Sequence, residues 1–205
     1  RTLWERSGHW KLYKGNMFVT ETEDREYGLK PMNCIGAYTI YRERLHSFRE
    51  LPLRLAELAG MLHRNELSGT LAGLFRVRQF IQDDSHIFVA PEELEAELER
   101  VLDFGIFMLK AFGFEDFVVA LSVRDPANKE KFLGADELWE SAEESLKRVA
   151  ARRGIDPEIM FGEAKFYGPS LDIHVRDALG RLWQCTTVQV DFNAPERFDL
   201  EYVGS

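Results

Sequence analysis

No stretch of the 205 residues approaches the roughly 20 consecutive apolar positions that a membrane-spanning helix needs. The opening Arg1-Thr2-Leu3-Trp4-Glu5-Arg6 also lacks the apolar core of a secretion signal. Cysteine is scarce. Cys34 and Cys185 could form one bridge, but in a reducing compartment free thiols or a metal ligand are expected, and neither belongs to a CxxC pair, which excludes a purely cysteine-based zinc site. These shortages point to a cytoplasmic chain with no membrane partner. Positive charge is short as well: 26 Lys and Arg stand against 35 Asp and Glu, a net −9. A chain of that sign is not a general nucleic-acid coat or a binder of anionic membranes, so any polyanion must be met by local basic patches. No repeat, low-complexity segment or linker is visible.

Apolar material is ample. Hydrophobic residues make up 45% of the chain, enough for the core of one large domain or two small ones. Residues 3–17 read as a short helix and turn, and 17–20 and 26–30 as two strands joined by the charged turn 21–25. Helical spacing over 35–43 puts Cys34 near a helix N-terminus, and 51–57 reads as a strand. Pro91 opens an amphipathic helix to about Phe112, with acids near its positive dipole end and Gly113 as its stop. A strand at 117–123 precedes a Glu-rich helix at 135–153, closed by Gly154. Residues 161–168, 171–177, 182–191 and 197–203 are strand-like, with Asp177 to Arg181 turning between the middle two. Helices that do not alternate one for one with strands predict an α+β fold, an antiparallel β-sheet flanked by helices, rather than a doubly wound parallel sheet.

The most informative stretch runs from His63 to His86. Residues 62–66 and 74–80 read as the limbs of an antiparallel hairpin around the turn chemistry of Leu67-Ser68-Gly69-Thr70. On such limbs Arg64, Arg76 and Arg78 hold planar guanidinium forks ready for a carboxylate or phosphate. A solvated basic face is the plain reading of the same three residues. The sequel Gln82-Asp83-Asp84-Ser85-His86, polar where an apolar strand should continue, favours the binding reading.

Several motifs together resemble the threonyl-tRNA synthetases, a family of class II aminoacyl-tRNA synthetases. They are Ser7-Gly8-His9-Trp10, Lys30-Pro31-Met32-Asn33-Cys34, Arg49-Glu50-Leu51-Pro52-Leu53-Arg54, His63-Arg64-Asn65-Glu66, Arg76-Val77-Arg78, Gln82-Asp83-Asp84-Ser85-His86, Phe166-Tyr167-Gly168-Pro169 and Trp183-Gln184-Cys185. The match runs nearly end to end. Arg-Asn-Glu alone is a weak signal, but with Pro-Met-Asn-Cys before it and Gln-Asp-Asp-x-His after it the pattern separates threonyl from seryl and prolyl relatives. The resemblance implies a class II catalytic core over residues 1–205, truncated at both ends. It further implies activation of threonine by ATP with Mg2+, transfer of threonine from the adenylate to tRNA(Thr), and a homodimer in the complete enzyme.

That chemistry brings a carboxylate up to an α-phosphate, so its main demand is fixed positive charge rather than a proton shuttle. By resemblance, Arg64 is the catalytic arginine that bridges the two anions, and Arg76 holds the γ-phosphate of bent ATP. Glu66 then recognises the adenine amino group, Phe80 stacks on adenine where residue type alone suggests a core ring, and Gln184 and Thr187 complete the ATP set. Threonine and valine are nearly isosteric, and a hydrophobic pocket separates such pairs poorly. The family answers with a zinc ion that takes the amino and hydroxyl groups of threonine. Cys34 and His86 match two of its three protein ligands, although a Cys and a His 52 positions apart would by themselves be poor evidence. Asp84 matches a contact to threonine, and Met32, Gln82, Tyr167 and Gln189 line the same pocket. His9, His46, His63 and His174 carry no zinc assignment.

Departures from the pattern matter too. The family's third zinc ligand, a histidine, and the ATP-binding arginine of its last motif fall beyond residue 205, and the motif building much of the dimer interface falls before residue 1. The editing and anticodon-binding domains lie outside the chain as well. Inside it, the usual Cys-Pro-Gly-His reads Cys34-Ile35-Gly36-Ala37, and the usual lysine after Tyr-Gly-Pro is Ser170. Loss of that lysine is expected to weaken catalysis, with Lys165 the candidate to compensate. Two rivals stand beside the synthetase reading: a noncatalytic paralogue that binds tRNA or protein, and another adenylate-forming class II enzyme. Retention of Arg64, Arg76 and Asp84 disfavours the first, and the set of Cys34, Asp84 and His86 disfavours the second.

Overall fold

The structure, a computed structural model, describes residues 1–204 and falls into two units, each with its own apolar core. Ser205, the last residue of the expected catalytic core, lies outside the described residues. Among them, no helix is long and apolar enough to cross a membrane.

The first unit comprises Arg1–Phe88 and the segment from Ala194 onward. Its opening helices α1 (Thr2–Arg6) and α2 (His9–Leu12) are the expected helix and turn. The hairpin of β1 (Val19–Thr22) and β2 (Arg25–Gly28) turns through Glu23 and Asp24, whose φ values of 52° and 58° suit a two-residue turn between right-twisted strands. Helix α3 (Cys34–Arg42) starts at Cys34, as its spacing predicts, and its Ile35 and Tyr38 pack against Trp4, Met17 and Phe198. After the short β3 (His46–Ser47), β4 (Leu53–His63) and β5 (Gln79–Phe88) form an antiparallel ribbon, with Leu53 opposite Phe88 and His63 opposite Gln79.

That ribbon corrects the hairpin read from the sequence. The strand at 51–57 continues to His63, and residues 74–80 are mostly loop. Arg64, Arg76 and Arg78 stand in the connection between β4 and β5 rather than on strands. Backbone bonds there close locally, from the amides of Phe75 and Arg76 to the carbonyl of Ala72, after Gly73 at φ +51°. Leu74 and Phe75, read as apolar strand positions, are 95% and 56% exposed. The polar sequel 82–86 is itself strand, the middle of β5.

The second unit, Val89–Asn193, holds α4 (Leu94–Ala111), β6 (Phe117–Val123), α5 (Asp136–Arg152), β7 (Glu158–Phe161), β8 (Ser170–Arg176) and β9 (Leu182–Gln189). The sheet order is β7-β6-β8-β9, antiparallel except for the parallel pair β6 and β7. Helical periodicity gives α4 an apolar stripe of Leu98, Leu102 and Leu109, and α5 one of Ala142, Leu146 and Val149. Both pack on Leu121, Leu171, Ile173 and Val175 of the sheet. The helices end at Gly113 and Gly154, whose φ values of +84° and +68° need no Cβ to be accommodated.

Two expected strands are misplaced. The strand near 161 is β7, which ends at Phe161, because Gly162 at φ +81° leaves the sheet and donates to the Val123 carbonyl. Residues 197–203 divide into the end of α6 (Asn193–Arg197), Asp199 at φ +49°, and the two-residue β10 (Tyr202–Val203), which pairs parallel with β3. The class remains α+β with largely antiparallel sheets.

Candidate active site

In the first unit the candidate residues gather along β5 and the loop before it. Alternation puts Phe80, Gln82, Asp84 and His86 on one face of β5. The loop is pinned from within: the Arg64 amide donates to the Arg78 carbonyl at 2.8 Å, and Arg78 reaches back with Nε to the Glu66 carbonyl and with Nη2 to Ser68 Oγ, both at 3.0 Å. Arg78 is thus an anchor of the loop, a role for which sequence carried no signal.

Glu66, 9% exposed, is the hub of the arginines. Arg76 donates to its Oε2 from Nε at 3.2 Å and Nη2 at 3.0 Å, and Thr70 adds a hydroxyl at 3.4 Å. Arg64 Nη1 stands 3.8 Å from Oε1, an ion pair without a hydrogen bond. Its guanidinium lies 5.5 Å from the centre of the Phe80 ring, and its Nε is buried with no acceptor. Arg64, Glu66, Arg76 and Phe80 are therefore brought together, with the arginines resting on a carboxylate and a ring.

The opposite end of β5 is acidic and partly dry. Asn33 Nδ2 donates to Asp84 Oδ2 at 3.2 Å, Asp84 pairs across the ribbon with Glu57, and Lys30 Nζ donates to Glu57 Oε1 at 2.7 Å. Burial lowers the affinity of His86 for a proton, opposed by the charges of Asp84 and Glu57. Its ring meets the edge of Tyr38, one helical turn along α3 from Cys34. Met32 Sδ lies 3.2 Å from Nε2 of the buried His9. Among the described residues, no three His, Cys, Asp or Glu side chains form a group able to hold a metal ion. Cys34 and His86 are on neighbouring elements, and their donor types, thiol and neutral imidazole, suit zinc as part of a shell.

In the second unit, Tyr167, Gln184, Thr187 and Gln189 fall into two hydrogen-bonded groups. Tyr167 donates from its hydroxyl to Gln189 Oε1 at 3.3 Å, and Gln189 Nε2 donates to the Gly168 carbonyl at 3.2 Å. A Cβ on Gly168 would lie 1.8 Å from the Val190 carbonyl oxygen, so the Tyr-Gly-Pro motif needs glycine for a close backbone approach. Gln184 and Thr187 both donate to Asp172, as does Ser170. Asp172 went unnoticed in the sequence. Its signal is the alternation Ser170-Leu171-Asp172-Ile173-His174-Val175, in which the polar set faces away from the core.

Comparison with known proteins gives a consistent picture. The family described as tRNA synthetase class II core domain (G, H, P, S and T) matches residues 17–205. The threonine–tRNA ligase of Carboxydothermus hydrogenoformans is 52% identical over 204 residues, covering 100% of this chain and 31% of its own length. The chain thus spans about a third of the length of such curated relatives. The RNA binding domain of threonyl-tRNA synthetase from Cryptosporidium parvum Iowa II is similar at 45% identity and a TM-score of 0.91, with 100% of this chain and 50% of that chain covered. Seryl-tRNA synthetase from Pyrococcus horikoshii complexed with ATP, 14% identical with a TM-score of 0.66 over 99% of this chain and 38% of that one, shares the fold alone.

Proposed function

The chain belongs to the class II tRNA synthetase core family, and from that membership we propose that it is the central part of a threonine–tRNA ligase catalytic domain. Its reaction joins threonine to ATP as threonyl-adenylate and passes threonine to tRNA(Thr). The observation that carries the reading is the clustering of Arg64 and Arg76 on Glu66, in a loop pinned by Arg78.

Without nucleotide, the arginines neutralise one buried carboxylate. ATP exchanges these partners: the adenine amino group donates to Glu66, and the freed Arg76 fork takes the γ-phosphate. Arg64, whose Nε has no acceptor, bridges the threonine carboxylate and the α-phosphate, so positive charge waits where two anions must meet. Phe80 then offers its ring to adenine. Asp84, steadied by Asn33, takes the threonine ammonium group, and Met32 and Gln82 of the same unit shape its pocket.

Cys34 and His86 would hold a zinc ion together with a third protein ligand from outside residues 1–205. Cys34 stands at the first position of a helix with a thiol, a donor type that zinc favours, and a partly buried imidazole stays neutral with a lone pair to give. Such an ion supplies Lewis-acid affinity for an amino and a hydroxyl group at once, the combination that threonine has and valine lacks. The same reading places Mg2+ with ATP and makes the complete enzyme a cytoplasmic homodimer.

Threonine-dependent ATP–pyrophosphate exchange by the purified protein, extended through the C-terminal histidine and the last class II motif, tests the proposal. The expected result is exchange with threonine in preference to valine, falling about 10²-fold or more in Arg64→Ala, since removal of one positioned charge stabiliser costs on that order. Exchange driven by another amino acid would sink the threonine assignment. Zinc on a protein that exchanges with no amino acid would point to a binding paralogue.

A further inference from the structure

Strand β7 (Glu158–Phe161) is the outer strand of the second unit's sheet and pairs with β6 alone among the described residues. The Gly162 amide donates to the Val123 carbonyl at 2.9 Å, and along a parallel ladder alternate residues turn both backbone groups to the same side. Met160 and Glu158 therefore bond toward β6, while the N–H and C=O groups of Ile159 and Phe161 point off the edge. An open edge of this kind is a template for another strand.

Side chains on the edge are left over as well. Register sets Ile159 beside Leu121 and Phe161 beside Val123, on the face that packs against α4 and α5. Leu121 and Val123 are 0% and 4% exposed, yet Ile159 and Phe161 are 39% and 69% exposed, so the helices that cover β6 leave β7 open. No lysine, proline or bulge blunts the strand between Glu158 and Phe161.

The edge is complementary to itself. In an antiparallel pairing across a two-fold axis, outward residues must oppose outward residues. An axis through Met160 sets Ile159 against Phe161 of a second copy and Phe161 against its Ile159, each pair exchanging both backbone bonds. An aromatic ring then meets a β-branched side chain, a favoured cross-strand pair. Glu158 falls opposite Gly162 and Glu163 opposite Pro157, so no acid faces an acid. Other registers leave groups unpaired. With Ile159 against itself, Phe161 faces Pro157, which has no N–H. With Phe161 against itself, Ile159 faces Glu163, past the point where Gly162 at φ +81° leaves the sheet.

We propose that the β7 edge is a self-association surface, at which a second copy of this chain adds its own β7 antiparallel and extends the sheet across a two-fold axis. A copy fits better than a foreign strand because the backbone groups, apolar side chains and charges of one short segment match each other. The contact uses none of the candidate site residues and stands whether or not the chain is a threonine–tRNA ligase.

Sedimentation equilibrium of the full chain at several protein and salt concentrations provides the test. A strand pair is a small interface, so a weak dimer with a Kd of about 10⁻⁵–10⁻³ M is expected. Each copy carries a net −9, so the dimer should tighten as salt screens that charge. Ile159→Pro removes an N–H that points off the edge, a place where strands tolerate proline, and should raise Kd about 10-fold. Phe161→Lys leaves the backbone whole, keeps the test alive should the proline variant not fold, and should weaken the dimer by a similar factor. Met160→Cys reads the register, since Met160 meets its own copy in a pair without hydrogen bonds, with Cα atoms about 4.5 Å apart, close enough for a disulfide. With diamide as oxidant, that variant should form a covalent dimer far beyond the unaltered chain, whose Cys34 and Cys185 lie elsewhere. A chain that stays monomeric up to about 1 mM overturns the proposal. So does a dimer that both edge variants leave at full strength, or one that Met160→Cys fails to cross-link.

Discussion

His9 shows how one side chain carries a pH dependence for the first unit. It is 4% exposed, bonded through Nδ1 to Ser7 Oγ at 2.8 Å, and flanked edge-on by the rings of Trp4 and Tyr13. Burial lowers its pKa from 6.5 to about 4. The native state holds the imidazole neutral, so on acidification the unfolded chain takes up a proton first. The stability from neutral His9 is therefore whole above pH 6.5 and is lost as pH falls toward about 4. The size of the shift makes that loss about 3 kcal/mol. Urea unfolding from about pH 7 down to about pH 4.5 should show the decline, with a flatter profile for His9→Gln. An unchanged slope in that variant would move the acid sensitivity to another group.

At the scale of elements, β5 explains both what the sequence disclosed and what it hid. Strand β6 and helices α4 and α5 were legible to within a residue or a few, because each has a fully buried face and periodicity reports burial. No residue of β5 is fully buried, and alternate positions carry Phe80, Gln82, Asp84 and His86. A strand whose less exposed face carries polar candidate-site residues has no apolar alternation to read, so the apolar-basic alternation at 74–80 reads as the strand instead. Candidate residues named by motif, such as Arg64, Glu66 and Arg76, lie together in the structure. Asp172 was not legible, because three of its four donors come from β6 and β9, 50, 12 and 15 positions away along the chain. Leu62 of β4, two residues before Arg64, is 1% exposed. Leu62→Ala should cost about 2–5 kcal/mol, as cavity-forming core truncations do. Hydrogen exchange should speed up in β4 and β5 while β6 and β8 stay protected. A loss below about 1 kcal/mol would mean that the ribbon is supported elsewhere.

For the whole molecule, net charge decides how a polyanionic partner can be met. Part of the charge is internally matched: Arg148 and Arg152 of α5, and Arg153 just after it, pair with Glu95, Glu99 and Asp103 of α4. The surplus of −9 remains, and its field repels RNA at distances beyond a Debye length of about 10 Å. In the connection between β4 and β5, Arg78 is tied to the loop backbone and Arg76 rests on Glu66 and is given to ATP in the reading above, so neither is spare for RNA. Any tRNA partner must then be held by local, shape-dependent contacts, and non-cognate RNA should find little to bind. Fluorescence anisotropy at about 0.15 M salt should give a Kd weaker than about 10⁻⁴ M for non-cognate RNA, with a shallow dependence of log Kd on log salt because few phosphates are neutralised. A micromolar non-cognate complex with a steep salt slope would show that a basic surface outweighs the net charge. Selection of tRNA would then rest on more than the exclusion of other RNAs by the field.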